Sequence, residues 1–249
     1  MLSDQEFMRY SRQLLLEDIG PEGQEKLQKA RVLIIGLGGL GSPAALYLAA
    51  AGVGTLLLAD DDQVHITNLQ RQILYRTTDL ELGKAEQAQR HLQDLNPLVE
   101  SIAIPSRLAD ETLQHAVNSA DLVLDCSDNM PTRHAVNLAC ITAGKTLISG
   151  SAVGFSGQLL VLEPPFRQGC YACLYPDQDI APRNCRTAGV LGPVVGVIGT
   201  LQALEAIKIL AGIPSSLSGK LRLFDGKQQS WCTLQLTPSP HCIACGGTS

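Results

Sequence analysis

The sequence lacks clustered runs of lysine and arginine, and its first residues lack the features of a secretory signal. Its 249 residues carry 19 basic and 24 acidic side chains, which gives a formal net charge of −5. Because a nucleic-acid backbone is bound by clustered cations, this balance argues against a general nucleic-acid-binding protein. Residues 1–6 are acidic, whereas a secretory signal begins with a basic segment and continues with an apolar one. We therefore expect a cytoplasmic protein that binds neither nucleic acid nor membrane.

Charged residues are also absent from residues 32–59. This stretch is longer than the about 20 apolar residues of a membrane-spanning helix, so a membrane span is one interpretation of it. Glycine and proline residues interrupt the stretch, however, and separate two short strand-like runs. These interruptions favour a strand, a turn, a helix and a second strand over one continuous helix.

The turn in this stretch carries the glycine pattern G-x-G-x-x-G at Gly36, Gly38 and Gly41, and the second strand ends at Asp60. Glycines at this spacing allow a tight turn, a close approach of phosphate to backbone N–H groups and close packing of the helix on the strand. An acidic residue about 20 positions later can accept hydrogen bonds from ribose hydroxyls. The pattern alone is weak evidence, but its strand, helix and acidic residue together predict a bound nucleotide.

The remaining sequence alternates between strand-like and helix-like segments. Helices are expected over 3–16, 21–29, 84–96, 111–118 and 131–143, and strands over 101–104, 121–126 and 146–150. This alternation predicts an α/β fold with a Rossmann-like doubly wound sheet, mainly parallel, which 158–162 and 221–224 extend in antiparallel fashion. We expect one domain, with N-terminal helices over 1–30, a nucleotide-binding core over 31–165, and a crossover loop and C-terminal part over 166–249.

Several polar residues are expected at the carboxyl ends of the strands, where ligands bind in doubly wound sheets. Arg71 follows the second strand, and Asp128 follows the fourth. Lys84 is expected in the first turn of a helix, where a cation opposes the helix dipole unless it meets an anion. The alternative for Lys84 is an ordinary exposed lysine.

Two C-x-x-C pairs, Cys170 with Cys173 and Cys242 with Cys245, predict a structural zinc site. Two such pairs supply the four thiolates of a closed tetrahedral Cys₄ site, although their separation is longer than in compact zinc ribbons. A redox dithiol is the alternative, but it would need only one reactive pair beside a βα turn.

The other cysteines divide into one candidate nucleophile and three structural residues. Cys185 lies in a polar segment between Arg183 and Arg186, and nearby cations lower the pKa of a thiol. An inert loop thiol is the alternative for Cys185. The remaining three lie in strand or helix patterns, where we expect packed apolar residues: Cys126, Cys140 and Cys232.

In combination, these motifs resemble the ThiF/MoeB family of adenylyltransferases, relatives of the ubiquitin-activating enzymes. The resemblance runs from residues 8–13 to the second cysteine pair and rests on 36–41, 68–72, 83–84, 125–129 and both pairs. It is closest to the ThiF branch, through 58–62, 183–189 and 223–227.

The resemblance implies ATP-dependent adenylylation of the C-terminal glycine of a small ubiquitin-like sulfur carrier protein. For the ThiF branch this carrier is ThiS, on the route to the thiazole of thiamine. The MoeB branch would instead adenylylate the small subunit of molybdopterin synthase, and a cysteine at the loop position does not separate the two branches.

The resemblance also implies roles for individual residues. Gly39, Asp60 and Asn129 would hold the nucleotide, Asn68, Arg71 and Lys84 the phosphates, and Asp128 a magnesium ion. Arg12 would enter from the other subunit of a homodimer. Cys185, after receiving sulfur from a donor protein, would link to the carrier as an acyl-persulfide.

Two functions from other classes are compatible with part of the sequence. An NAD-dependent dehydrogenase would explain the glycine pattern and Asp60, but not Arg71, Lys84 or the cysteine pairs. A non-catalytic scaffold for a ubiquitin-like protein would suit a site without cations, whereas this sequence supplies them.

Overall fold

The strands of the protein form one mixed sheet. The computed structural model describes residues 2–176 and 188–246. In that part of the chain the strand order is β3-β2-β1-β4-β5-β6-β7-β8. The strands are β1 (Arg31–Ile35), β2 (Thr55–Ala59), β3 (Glu100–Ile104), β4 (Leu122–Asp125), β5 (Thr146–Val153), β6 (Ser156–Leu162), β7 (Lys220–Asp225) and β8 (Ser230–Gln235). Strands β1 to β5 pair in parallel, and β6 to β8 extend the sheet in antiparallel fashion, which confirms the predicted architecture.

Helices cover both faces of this sheet. They are α1 (Asp4–Arg9), α2 (Ser11–Leu14), α3 (Gly20–Lys29), α4 (Gly41–Ala51), α5 (Lys84–Leu95), α6 (Asp110–Asn118), α7 (Met130–Ala143), α8 (Tyr171–Leu174) and α9 (Gly192–Ala211). One apolar core joins the sheet to α3, α4, α5 and α9, and the other joins it to α6, α7 and α8. The strands between these layers are apolar on both faces, as parallel strands usually are; Val32, Leu33 and Ile34 are all fully buried.

Helix α9 was not anticipated from the sequence. By length and composition it could cross a membrane, but half of its apolar window is buried within the protein. It packs against α4, where a Cβ on Gly199 would lie 2.2 Å from the Leu40 carbonyl oxygen. Glycine at this position therefore allows the close helix contact that holds α9 beside the glycine turn.

The prediction of one helix over 3–16 was wrong. The segment forms two short helices, α1 and α2, which meet at Tyr10 with φ −97° and ψ 11°. The side chain of Tyr10 is buried over the end of α4, where a Cβ on Gly52 would lie 2.4 Å from the ring. Packing of this ring accompanies the break, a tertiary contact that the pattern of charged and apolar residues did not reveal.

The prediction for Cys232 was also wrong, whereas those for Cys126 and Cys140 are confirmed. Cys126 and Cys140 are buried, but Cys232 is exposed on β8. The strand was given no range from the sequence; it lies at the edge of the sheet, and all six of its residues are exposed. An edge strand of this kind lacks the buried apolar residues that identify a strand.

Candidate functional site

The glycine turn between β1 and α4 is fixed by two close backbone contacts. Gly36 has φ +89°, and a Cβ there would lie 2.8 Å from the Cys126 carbonyl oxygen. A Cβ on Gly41 would lie 2.0 Å from the carbonyl oxygen of Gly36. Helix α4 starts at this turn without a side-chain cap. Backbone N–H groups at such a helix start are suited to binding phosphate.

Asp60 connects the end of β2 to the glycine turn. Its Oδ2 accepts a hydrogen bond from the Leu37 N–H at 2.7 Å, and its Oδ1 accepts one from the Asp62 N–H at 2.9 Å. Burial raises the pKa of Asp60, while the positive charge of Lys84 opposes that rise. The acidic residue predicted to bind ribose therefore lies directly against the turn.

Lys84 is buried in the first turn of α5, so its interpretation as an ordinary exposed lysine was wrong. Only 4% of the residue is exposed. Its Nζ lies 3.1 Å from Oδ2 of Asp62, whose side chain is 54% exposed. Nothing in the sequence pattern identified Asp62 as the partner of Lys84. A buried ammonium needs an anionic partner, and this geometry places one at the rim of the site.

The segment between β2 and α5 carries Asn68 and Arg71. Asn68 Oδ1 accepts a hydrogen bond from the His65 N–H at 3.1 Å, and Arg71 Nη1 donates one to the Thr67 carbonyl oxygen at 3.0 Å. The segment packs on the glycine turn, because a Cβ on Gly39 would lie 3.4 Å from Cγ of Arg71. The structure thus brings Arg71 together with the glycine turn to which Asp60 is bound.

Two buried side chains anchor this segment, and neither was identified from the sequence. Tyr75 donates a hydrogen bond from its hydroxyl to the Leu37 carbonyl oxygen at 2.9 Å. Asp79 accepts hydrogen bonds from Arg90 at 2.5 Å, from His91 at 2.6 Å and from the Arg76 N–H at 2.7 Å. Burial alone would raise the pKa of Asp79, but these hydrogen bonds hold it below its ordinary value. The segment carrying Arg71 is therefore tied both to the glycine turn and to α5.

Asp128 and Asn129 follow β4, next to β1 and the glycine turn. Asp128 is exposed. Asn129 caps α7, since its Oδ1 accepts a hydrogen bond from the Thr132 N–H at 2.9 Å. An exposed carboxylate at this strand end is an oxygen ligand of the kind that Mg²⁺ prefers.

The four paired cysteines form one cluster that could hold a metal. Their sulfur atoms all lie within 4.8 Å of one another. Cys170 is 3.9 Å from Cys173 and 3.6 Å from Cys242, and Cys173 is 3.5 Å from Cys245. Tetrahedral Zn²⁺ with bonds of about 2.3 Å requires sulfur separations of about 3.8 Å. The cluster therefore has the dimensions of a closed, four-thiolate site.

Hydrogen bonds to two of these sulfurs support the same interpretation. Asn137 Nδ2 donates to the sulfur of Cys170 at 3.6 Å, and the Ser239 N–H donates to that of Cys173 at 3.4 Å. Donors aimed at ligating atoms orient them and stabilise their charge.

Of the remaining predicted site residues, Arg12 lies among the described residues and Cys185 does not. Arg12 is exposed on α2, and none of the contacts given above for the described residues includes it. Cys185 and its neighbours Arg183 and Arg186 lie outside the described residues.

Comparison with known proteins gives a consistent result over nearly the whole chain. A sequence model of the ThiF family matches residues 10–244. The chain is 59% identical over 248 residues to the sulfur carrier protein ThiS adenylyltransferase of Escherichia coli (strain K12), covering 100% of this chain and 98% of that protein. It is 44% identical over 248 residues to the sulfur carrier protein adenylyltransferase of Thermus thermophilus, covering 97% of this chain and 92% of that protein. The solved structure of E. coli MccB with ATP matches with a TM-score of 0.82 and 26% identity, covering 96% of this chain and 73% of that one.

The glycine turn gives the first testable prediction. We expect Gly41→Ala to lower the free energy of unfolding by about 1–3 kcal/mol, because the new Cβ must displace backbone. ATP affinity should fall with it, since the turn and the start of α4 move. Urea unfolding and calorimetric titration with ATP measure the two effects.

Gly196→Ala in α9 is the matched control. A Cβ at Gly196 has nothing within 4 Å, so alanine should raise stability by about 0.5–1 kcal/mol. Wild-type ATP affinity in Gly41→Ala would contradict the assignment of this turn to nucleotide binding.

Proposed function

The chain belongs to the ThiF family, and we propose that it adenylylates the C-terminal glycine of a ubiquitin-like sulfur carrier of the ThiS type. The observation that carries the proposal is the buried Lys84, held at the rim where Asp60 meets the glycine turn. The relative with 59% identity is named for activity on ThiS, and we place the protein on the route to the thiazole of thiamine. Adenylylation of the small subunit of molybdopterin synthase is the second candidate within the family.

The reaction needs charge stabilisation and alignment rather than a general base. A terminal carboxylate is already ionised at neutral pH, and one of its oxygens attacks the α-phosphorus of ATP. The bond to the bridging oxygen breaks and pyrophosphate leaves. Most of the catalysis must therefore come from positioning and from cations that neutralise the developing charge.

The residues at the strand ends fit these requirements. Gly39, Asp60 and Asn129 hold the nucleotide in this proposal, while Asn68, Arg71 and Lys84 bind the phosphates. Asp62 keeps the buried Lys84 ammonium paired until a phosphate reaches it. Asp128 would hold Mg²⁺, which would neutralise charge on the departing pyrophosphate.

We propose a homodimer in which Arg12 completes the site of the partner subunit. The N-terminal segment around Arg12 exposes an apolar surface, since these residues are all more than half exposed: Phe7, Met8, Leu15 and Leu16. Exposed apolar patches of this kind commonly mark protein interfaces. A cation beside such an interface can reach a neighbouring subunit.

The proposal assigns Cys185 to the step after adenylylation. The Cys185 thiolate attacks the outer sulfur of a persulfide on a donor protein, and the donor cysteine leaves as a thiolate. The resulting Cys185 persulfide then attacks the carbonyl of the carrier adenylate, forming an acyl-persulfide linkage and releasing AMP. We place this chemistry in the cytoplasm, where free thiols persist.

A dehydrogenase is less well supported. The relatives quoted above are named as adenylyltransferases, and the buried lysine beside the glycine turn is suited to phosphate rather than to hydride transfer. Release of pyrophosphate separates the two functions.

ATP–pyrophosphate exchange in the presence of carrier tests the assigned residues. We expect Arg71→Ala, Lys84→Ala and Asp128→Ala each to slow exchange by about 100-fold, a typical cost of removing an electrostatic contact in the transition state.

Mixing Arg12→Ala chains with Lys84→Ala chains should restore exchange, because one site of each heterodimer then has both cations.

Cys185→Ser is the internal control for that series. It should exchange at the wild-type rate and lose only the reducible conjugate with the carrier. Near-normal exchange in the three phosphate-site variants would contradict the site, and failure to recover after verified subunit exchange would contradict the shared Arg12.

We propose that the four-cysteine cluster holds Zn²⁺ and ties the C-terminal segment to α7 and α8. The metal would be structural, because four thiolates leave no open position. It would link residues 170–173 to residues 242–245, which are far apart in sequence.

Replacement of a ligand should reduce stability more than it affects ATP binding. We expect Cys173→Ser or Cys245→Ser to lower the free energy of unfolding by more than about 3 kcal/mol while leaving ATP affinity nearly unchanged. Cys232→Ser, at an exposed site on β8, is the control and should alter neither quantity. Elemental analysis that finds no zinc in freshly purified, reduced protein would contradict the zinc site.

A further inference from the structure

A buried polar cluster lies where the carboxyl end of β4 pairs with the middle of β5, among residues to which no role in nucleotide binding has been assigned. Asp125 and Ser149 contribute from the strands, Ser127 from the loop after β4, and Arg133 from the first turns of α7. All four residues are less than one-tenth exposed. Two buried charges at one strand end are costly, so the arrangement needs an explanation beyond packing.

This cluster binds every polar group of Ser127. Asp125 Oδ1 accepts hydrogen bonds from the Ser127 N–H at 3.0 Å and from its hydroxyl at 2.6 Å. The Ser127 carbonyl oxygen accepts a hydrogen bond from Nη2 of Arg133. Ser127 therefore has both backbone groups and its side chain fixed.

The hydrogen bonds of Ser127 also restrict the backbone of the next residue, Asp128. On its other side, Asn129 is held by its cap on α7. Asp128 is exposed, while the residue on each side of it is fixed by hydrogen bonds. This is the arrangement expected of a carboxylate that must present a fixed direction to a bound cation.

Arg133 supplies contacts that a lysine could not reproduce. Besides Ser127, it donates to the Gly150 carbonyl oxygen at 2.9 Å and to the Ser149 hydroxyl at 3.3 Å. Its Nη1 lies 3.9 Å from Oδ2 of Asp125, which also accepts the Ser149 hydroxyl at 2.8 Å. The planar fork of arginine bridges several acceptors at once, whereas a lysine ammonium acts as a point donor.

We propose that Arg133 and Asp125 are positioning residues that aim the Asp128 carboxylate at magnesium-bound ATP. The inference rests on the proposed function, since it gives Asp128 its magnesium ion. Neither residue touches the nucleotide in this account. Their effect passes through Ser127, so it should appear in the magnesium-dependent part of ATP binding.

Calorimetric titration with ATP, in Mg²⁺ and again in EDTA, tests the inference. We expect Arg133→Lys to weaken ATP binding about tenfold in Mg²⁺, a typical cost of losing a residue that orients a metal ligand, and to leave binding in EDTA unchanged. Ser149→Ala removes one contact of Arg133 and should give a smaller loss in the same direction. If Arg133→Lys fails to fold, Ser149→Ala and Ser127→Ala decide the question.

Asn96→Ala is the matched control for a general loss of stability. Asn96 is fully buried, and its Nδ2 donates to the Ala49 carbonyl oxygen at 2.7 Å and to the Tyr10 hydroxyl at 2.9 Å. These contacts lie at the C-terminal ends of α4 and α5, opposite the ends that form the site. This variant should lose stability but retain the full gain in ATP affinity from Mg²⁺.

Equal loss of ATP affinity in Mg²⁺ and in EDTA, or an unchanged ATP affinity in Arg133→Lys, would overturn the positioning role of Arg133 and Asp125. Absence of any gain from Mg²⁺ in the wild type would overturn both this role and that of Asp128. Failure of carrier-dependent pyrophosphate exchange, measured on the same preparation, would instead overturn the proposed substrate while the magnesium effect still stands.

Discussion

The site depends on the close backbone contact within the glycine turn. With 2.0 Å between the Gly36 carbonyl oxygen and the position of a Cβ on Gly41, no side chain fits there. The turn places the start of α4 at the carboxyl end of β1. It also leaves the Leu37 backbone within reach of Asp60 and Tyr75. Asp60 accepts the Leu37 N–H, and Tyr75 donates to the Leu37 carbonyl oxygen. Three segments distant in sequence are therefore aligned by one short turn.

Two buried cations also determine the geometry at the carboxyl end of the sheet. Lys84 and Arg133 are both less than one-tenth exposed, and each lies beside a carboxylate at the carboxyl end of the sheet. Their surroundings differ, however. Lys84 has a partner whose side chain is half exposed, and we propose that an incoming phosphate takes the place of that partner. Arg133 is enclosed by protein acceptors and fixes a loop. One cation is thus available to a ligand, while the other is committed to the structure.

The sequence predicted the features that are set by local pattern. The alternation of apolar strands with helices predicted the doubly wound sheet, and the glycine spacing predicted the turn that holds Asp60. The spacing of the C-x-x-C pairs predicted the cluster that could hold a metal. These succeeded because close turns and two-residue cysteine spacings restrict the residue types that can stand there.

Features that depend on tertiary contacts were missed or predicted incorrectly. The break at Tyr10 accompanies burial of its ring, and the burial of Lys84 requires Asp62, 22 positions earlier. Arg133 resembles any helix arginine in sequence, because its acceptors come from the loop after β4 and from β5. Helix α9 is apolar around most of its circumference. It therefore lacks the amphipathic stripe that predicts which face of a helix is buried.

The activity assigned to this site is the transfer of an adenylyl group to a terminal glycine. Intact mass spectrometry of a purified ThiS-like carrier and of the small subunit of molybdopterin synthase, each incubated with the enzyme and magnesium-bound ATP, detects that transfer. We predict an AMP adduct on the ThiS-like carrier, and no adduct when its C-terminal glycine is deleted. An unmodified carrier under conditions in which the enzyme binds ATP, or an adduct that persists without the terminal glycine, would contradict the account.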